Sequence, residues 1–217
     1  MNKPAITIPR LDFSDCPDCG SVVARMDALG NTYIVDEVPW KDNYPYRPLA
    51  LATLAHDSEY IYASFLVRSK SIKAIHLEDQ KAVCDDSCME FFIKPEPDGE
   101  YFNFEFNCLG TMNASHRESR TVSTRLTAEQ GATVLRFPAM PRESFEERQG
   151  LATWELLVKI PLVLMGIGKE DFPKAMRGNL YACASGMKEP YYLSYFPISA
   201  PKPNYHLQEF FGIIVLE

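Results

Sequence analysis

The chain has 217 residues, 46% of them hydrophobic, which is enough for a sizeable buried core. Acidic residues outnumber basic ones 29 to 22, for a net charge of −7, and that balance excludes the basic footprint of a nucleic-acid binder. No apolar run approaches the ~20 residues of a membrane helix, and six cysteines are too sparse for a disulfide scaffold.

The first ten residues, Met1 to Arg10, contain no apolar segment of a secretory leader, so the cytoplasm is the default expectation. Ala5 to Ile8 is short and β-branched and reads as an edge strand. Cys16-Pro17-Asp18-Cys19 resembles half of a zinc knuckle, but a structural zinc site needs four ligands and no second such pair follows. Two free thiols in a loop are therefore expected. The remaining cysteines, Cys84, Cys88, Cys108 and Cys183, lie in apolar or strand-like contexts and read as small buried hydrophobes. Ser21 to Leu29 suits two helical turns and Asn31 to Val38 a strand.

The segment from Pro39 to Pro48 is a loop by its prolines, Asn43 and Asp42. It carries Trp40, Tyr44, Tyr46 and Arg47. These side chains either stand out as a binding surface or fold back as a lid. Leu49 to Ala55 and Tyr60 to Val67 form a hairpin around His56-Asp57-Ser58-Glu59, and Arg68 to Val83 reads as polar loop.

The stretch from Cys84 to Ile93, with Tyr101 to Asn107, organises the rest. Phe102, Phe104 and Phe106 alternate with Tyr101, Asn103, Glu105 and Asn107, the period of two of a half-buried strand. Pairing Glu90 with Glu105 places Phe92 opposite Asn103 and Cys88 opposite Asn107. Met89, Phe91 and Ile93 then share the core face with the three phenylalanines. Thr111 to His116 continues this sheet, and Arg117 to Gly150 is irregular apart from a strand near Thr133 to Phe137. Leu151 to Ile160 is a strand stopped by Pro161, with a helical turn from Leu162 to Gly168. Arg177 to Ala184, Tyr191 to Phe196 and Glu209 to Leu216 complete the strands, with a proline-rich loop from Pro197 to Asn204. Many strands, no long amphipathic helix and no βαβ rhythm predict an all-β, antiparallel β-sandwich of immunoglobulin or jelly-roll type, as one domain over residues 1–217.

The polar face of the central hairpin is either the wet side of a sheet or the floor of a site. Across an antiparallel pair, Glu90 and Glu105 have Cβ atoms ~5 Å apart, so their charges call for a basic neighbour, a cation or a shared proton. Arg177, at the start of a strand, is the expected basic partner. Such a pair also matches the spacing of about 5–5.5 Å used by retaining glycosidases, so a glycoside-active enzyme is one reading. The other rests on a set of aromatic and polar groups, Trp40, Tyr44, Tyr46, Tyr191, Tyr192, Tyr195 and His206 with Arg47 and Arg177, over the face that carries Glu90, Glu105 and Asn107. Flat rings suit the C–H faces of a sugar, and the polar groups suit its hydroxyls. A sandwich with a purely structural or interaction role is the third reading.

Several blocks in order carry a family resemblance: Asp85-Asp86-Ser87-Cys88-Met89-Glu90-Phe91-Phe92, Tyr101 to Asn107, Trp154-Glu155 leading to Ile160-Pro161, Arg177 to Tyr181, Leu193 to Ile198, and Phe210-Phe211-Gly212. The chain from about Tyr33 onward resembles the family 9 carbohydrate-binding modules, in particular single-domain bacterial proteins of that type. The resemblance implies a β-sandwich that binds a mono- or oligosaccharide without cleaving it. It implies a sugar held between two rings, usually tryptophans, and often a structural calcium. The later tryptophan falls at Tyr195; Trp40 and Tyr46 are candidates for the earlier one. Asp85 and Asp86 lie in a loop suited to calcium.

Overall fold

The computed structural model describes residues 3–96, 98–169 and 172–217. Two mainly antiparallel sheets face each other across an aromatic core. The first contains β1 (Ile6–Ile8), β5 (Cys88–Lys94), β6 (Tyr101–Asn107), β7 (Met112–Arg117), β8 (Ser123–Arg125), β11 (Met176–Cys183), β12 (Tyr192–Ser194) and β13 (Gly212–Leu216). Their order is β1-β13-β11-β5-β6-β7-β8, with β12 pairing beside β13 on the far half of β11. The second sheet contains β2 (Asn31–Ile34), β3 (Leu49–His56), β4 (Tyr60–Ala74), β9 (Leu135–Pro138) and β10 (Phe145–Pro161), in the order β2-β3-β4-β10-β9. The β-sandwich expected from the alternation is the observed architecture.

The central register is the one the alternation dictates. Glu90 pairs with Glu105, Phe92 with Asn103 and Cys88 with Asn107. Met89, Phe91, Phe104 and Phe106 therefore point inward and meet Phe65, Val67, Trp154 and Leu156 from the second sheet, all buried in one cluster. Such packing supplies most of the favourable free energy of a sandwich, because apolar area leaves water on both inner faces.

Three local departures have physical causes. The segment after Val67 is strand rather than loop: β4 runs on to Ala74 against the first residues of β10. Ser69 and Ser71 occupy inward positions there, and Ser69 Oγ donates to the Ser71 carbonyl at 2.6 Å. A hydroxyl satisfied in this way lets a polar-looking sequence lie in a buried strand. The matching start of β10 is charged and bulged, with Gly150 at φ +124°, so its period of two is broken in the sequence. The Cys16 to Cys19 segment opens a helix, α1 (Cys19–Leu29). Asp18 is its N-cap: its Oδ1 accepts from the Ser21 N–H at 2.8 Å, and Ser21 Oγ accepts from the Asp18 N–H at 3.2 Å.

Two motif blocks have structural explanations. The terminal Phe-Gly places Gly212 flat against the Phe196 ring, where an added Cβ would lie 2.3 Å from the ring carbon Cζ. Asp86, fully buried, accepts from the backbone N–H groups of Ile75 and His76 at 2.9 and 3.1 Å and from Asn107 Nδ2 at 2.9 Å. Asp85 Oδ1 accepts from the Ser185 hydroxyl at 2.6 Å. Calcium requires 6–8 oxygen ligands turned toward it. These carboxylates are instead turned toward hydrogen-bond donors, so the pair does not fit a calcium cage. No described helix is long and apolar enough to cross a membrane.

Candidate functional site

The outer face of the first sheet is polar in sequence but is not open to water. Residues from Phe196 to Phe211 fold across it, and the loop around Trp40 closes on them: Trp40 Nε1 donates to the Ala200 carbonyl at 2.8 Å. Beneath this cover lies a second apolar cluster that includes Trp40, Phe92, Tyr101, Tyr181, Ile198, Tyr205 and Phe211. The Tyr205 ring stacks on Tyr181 with centroids 4.1 Å apart and planes 11° from parallel. The Tyr181 hydroxyl donates to the Tyr205 carbonyl at 3.1 Å, and the Tyr205 hydroxyl donates to the Ala182 carbonyl at 3.2 Å.

The cover leaves a cavity of about 150 Å³ over the middle of the face. Glu90 and Glu105 form part of its floor, with Cys183 and Cys84 beside them. Tyr192, Tyr205, His206 and Asn204 form walls, and Ser185 and Arg120 reach its rim. Strand alternation explains this set. Across β11 and β5, Tyr181 stands opposite Glu90 and Cys183 opposite Cys88; Tyr192 stands opposite Cys183 across β12. All of these side chains project to the same side.

The electrostatics of the floor are unusual. Glu90 and Glu105 are 2% and 5% exposed, and among the described residues neither forms an ion pair. Burial, then the charge of Glu105, holds the Glu90 carboxyl well above the ordinary carboxylate range, opposed by the Cys183 thiol that donates to Oε1 at 3.1 Å. Burial also raises Glu105. Three effects oppose that rise: the Asn113 amide donating to Oε2 at 3.0 Å, the Arg117 charge, and the Asn103 amide donating to Oε1 at 2.9 Å. Arg117 acts at one remove, because its Nε donates to Asn103 Oδ1 at 2.5 Å. Two like charges in one low-dielectric site favour holding a proton between them. His206 is pushed down to about 3 by burial, with Arg117 and Arg120 adding to the shift, so its ring is neutral at ordinary pH. Its Nδ1 lies 2.9 Å from the Tyr101 hydroxyl.

The structure brings together Glu90, Glu105, Tyr192 and His206 of the sequence candidates, and it brings the Trp40 loop onto the 197–204 loop over this face. Trp40 itself is a strut: it is 5% exposed and packs near Tyr192 and Tyr205 rather than offering a free ring. Asn107 lies on the face but is consumed in holding loops. It donates to the His76 carbonyl and Asp86 and accepts from the N–H groups of Leu109 and Thr111.

Four candidates lie elsewhere. Tyr195 is 4% exposed in the main core, edge-on to Tyr33, with its hydroxyl donating to the Pro4 carbonyl at 3.2 Å. Its backbone N–H pairs with the Leu180 carbonyl, so the period of two turns it inward and turns Tyr192 to the cavity. Tyr46 is half-buried against Tyr191 and accepts from the Lys70 N–H at 2.8 Å. Arg47 is exposed, 3.7 Å from Asp36. Arg177 is not the partner of the carboxylates. It shares their face, but four residues before Tyr181, and its guanidinium donates to the Phe211 carbonyl at 2.6 and 3.0 Å.

Arg117, missed as a candidate, is legible once the β6–β7 register is followed: Glu105 stands opposite Asn113, Asn103 opposite Ser115 and Tyr101 opposite Arg117. Tyr205 and Asn204 carry no local signal, because only the path of the covering segment places them.

Comparison with known proteins places this geometry in context. The profile of carbohydrate-binding family 9 matches residues 23–216. A Bacteroides uniformis protein for which carbohydrate binding has been proposed is similar at 30% identity and a TM-score of 0.91, over 99% of this chain and 100% of that one. A family 9 module from Caldicellulosiruptor kristjanssonii, solved with glucose, shares the fold at a TM-score of 0.63 and 8% identity, over 99% of this chain and 96% of that one. The structure of such a module with cellotriose aligns at a TM-score of 0.61 and 8% identity, over 99% and 94%. Among curated proteins there is no match.

Proposed function

The chain belongs to carbohydrate-binding family 9, and from that membership we propose that it binds a carbohydrate, without cleaving it, in the cavity over Glu90 and Glu105. The observation that carries this is the combination of flat rings and hydrogen-bonding groups in one small recess: Tyr192, Tyr205 and His206 beside two carboxylates, Asn204 and Ser185. Rings meet the C–H faces of a sugar, and the carboxylates and amide meet its hydroxyls. Pockets for drug-sized ligands enclose about 300–1,000 Å³. A cavity of about 150 Å³ therefore suits a single sugar ring, free or at the end of an oligosaccharide. The glucose and cellotriose bound by the Caldicellulosiruptor modules support a saccharide as the ligand class. The chain is read as acting as one binding domain.

The glycosidase reading is weaker because the family whose profile the chain matches is one of carbohydrate binding.

Titration calorimetry against mono- and disaccharides, run beside a reducing-sugar release assay, tests the proposal. Binding without release is expected. Tyr192→Ala, at the cavity wall, should weaken binding. Tyr195→Ala, in the main core, should lower the melting temperature and leave the affinity of the folded protein unchanged. Loss of affinity in Tyr195→Ala with none in Tyr192→Ala would place the site elsewhere.

A further inference from the structure

We propose that Cys88, Cys183 and Glu90 form a binding site for one thiophilic metal ion of the zinc class. Cys88 and Cys183 stand directly opposite each other across β5 and β11, and Glu90 is two residues along β5 on the same side. One ligand atom from each, Sγ, Sγ and a carboxylate oxygen, lies within 4.8 Å of the other two, and Cys183 Sγ is 3.1 Å from Glu90 Oε1. A tetrahedral ion at ~2.3 Å from sulfur and ~2.0–2.2 Å from oxygen spaces its ligand atoms by roughly 3.5–3.8 Å. Side-chain shifts of up to about 1 Å bring these three into that range. The ligand set matches the ion: two thiolates select soft or borderline cations over calcium and magnesium.

The surroundings supply what such a site needs. The carboxylates facing it have no ionic partner among the described residues, so a bound cation would offset their repulsion. Glu105, opposite Glu90 and held by the amides of Asn103 and Asn113, would orient and screen the site. Cys183 and Glu90 also line the cavity, which provides the path of entry and leaves the fourth position open. Cys84 lines the same cavity and is placed to approach that position. Binding replaces the two thiol protons, and the carboxyl proton where present, by the ion, and those protons leave to solvent. The site goes beyond sugar binding, although it shares Glu90 with the sugar cavity.

Cobalt(II) titration of the full chain in a reductant that does not bind metal tests this without any sugar. One cobalt per chain is expected, with a thiolate-to-cobalt charge-transfer band and the intense visible bands of tetrahedral geometry, displaced by zinc. The double variant Cys16→Ser/Cys19→Ser should keep the spectrum, and Cys183→Ala should lose it. As a control on folding, Glu90→Gln should remain folded by circular dichroism and bind at least tenfold more weakly. Absence of the band in the wild-type chain, its persistence in Cys183→Ala, or its loss only in the Cys16/Cys19 double variant overturns the proposal.

Discussion

Replacing Trp40 tests whether it is a strut of the cavity cover or a free platform for a ligand. The side chain is 5% exposed, its Nε1 donates to the Ala200 carbonyl at 2.8 Å, and its ring packs with centroids 6.1 and 6.0 Å from Tyr192 and Tyr205. Trp40→Phe keeps most of the apolar contact and removes the donor, leaving a covered carbonyl unpaired, at a cost of about 1–3 kcal/mol. Trp40→Ala removes the ring as well, and truncation of a buried tryptophan costs about 3–5 kcal/mol. Over 217 residues, an unfolding entropy of about 2.1 cal/mol/K per residue amounts to ~0.46 kcal/mol/K, so each kcal/mol lowers the melting temperature by ~2 °C. Trp40→Phe should melt ~2–7 °C below the parent and Trp40→Ala ~6–11 °C below it, read by scanning calorimetry. Sugar affinity should fall in Trp40→Ala because the cover that carries Tyr205 and His206 loses its tie to the Trp40 loop. An unchanged melting temperature in Trp40→Ala, with affinity alone reduced, would refute the strut and restore the ring as a platform.

Glu90→Gln should stabilise the protein at alkaline relative to acidic pH. A carboxyl raised by burial and by Glu105 binds its proton more tightly when folded, so the parent loses stability as pH climbs from the unfolded value near 4.3 through the folded one, by ~1.4 kcal/mol per unit. Urea melts from pH 4 to pH 9 should show the variant-minus-parent difference growing across that window; a flat difference means that folding does not raise the Glu90 carboxyl. His206 has the opposite sign. Its folded value of about 3 lies below the ordinary 6.5, so the stability it confers is full above pH ~6.5 and drains as pH falls toward 3. His206→Gln should flatten that acid limb, and an unchanged limb would show the ring to be solvated. Phe104→Ala, in the centre of the main core, should cost about 3–5 kcal/mol by equilibrium denaturation; a cost under 1 kcal/mol is incompatible with the register.

The period of two in Tyr101 to Asn107 and its answer in Cys88 to Ile93 determined a great deal by themselves. A strand with one apolar face has one register that buries it, since a slip by one residue would put three phenylalanines in water. Glu90 opposite Glu105, the core face and the β-sandwich all follow from that constraint. The same logic placed Trp154 and Leu156 in the core. Where the pattern was broken, the sequence was silent or misleading. Ser69 and Ser71 disguise the buried end of β4, and a bulge scrambles the start of β10. The polar face of the hairpin could be a wet surface or the floor of a site, and in the structure part of it floors a covered cavity. Whether a polar face meets water depends on what crosses it, and that is set by the path of the chain from Phe196 to Phe211, more than 90 residues away in sequence from Glu105. That covering segment turned Trp40 from a platform into a strut and brought Tyr205 and His206 over the carboxylates. The short strand β12 paired so that Tyr192, and not Tyr195, faces the cavity. Strand periodicity is a local property, written in neighbouring residues. The burial of a titratable pair and the make-up of a cavity depend on contacts between distant segments, and only the tertiary structure decides them.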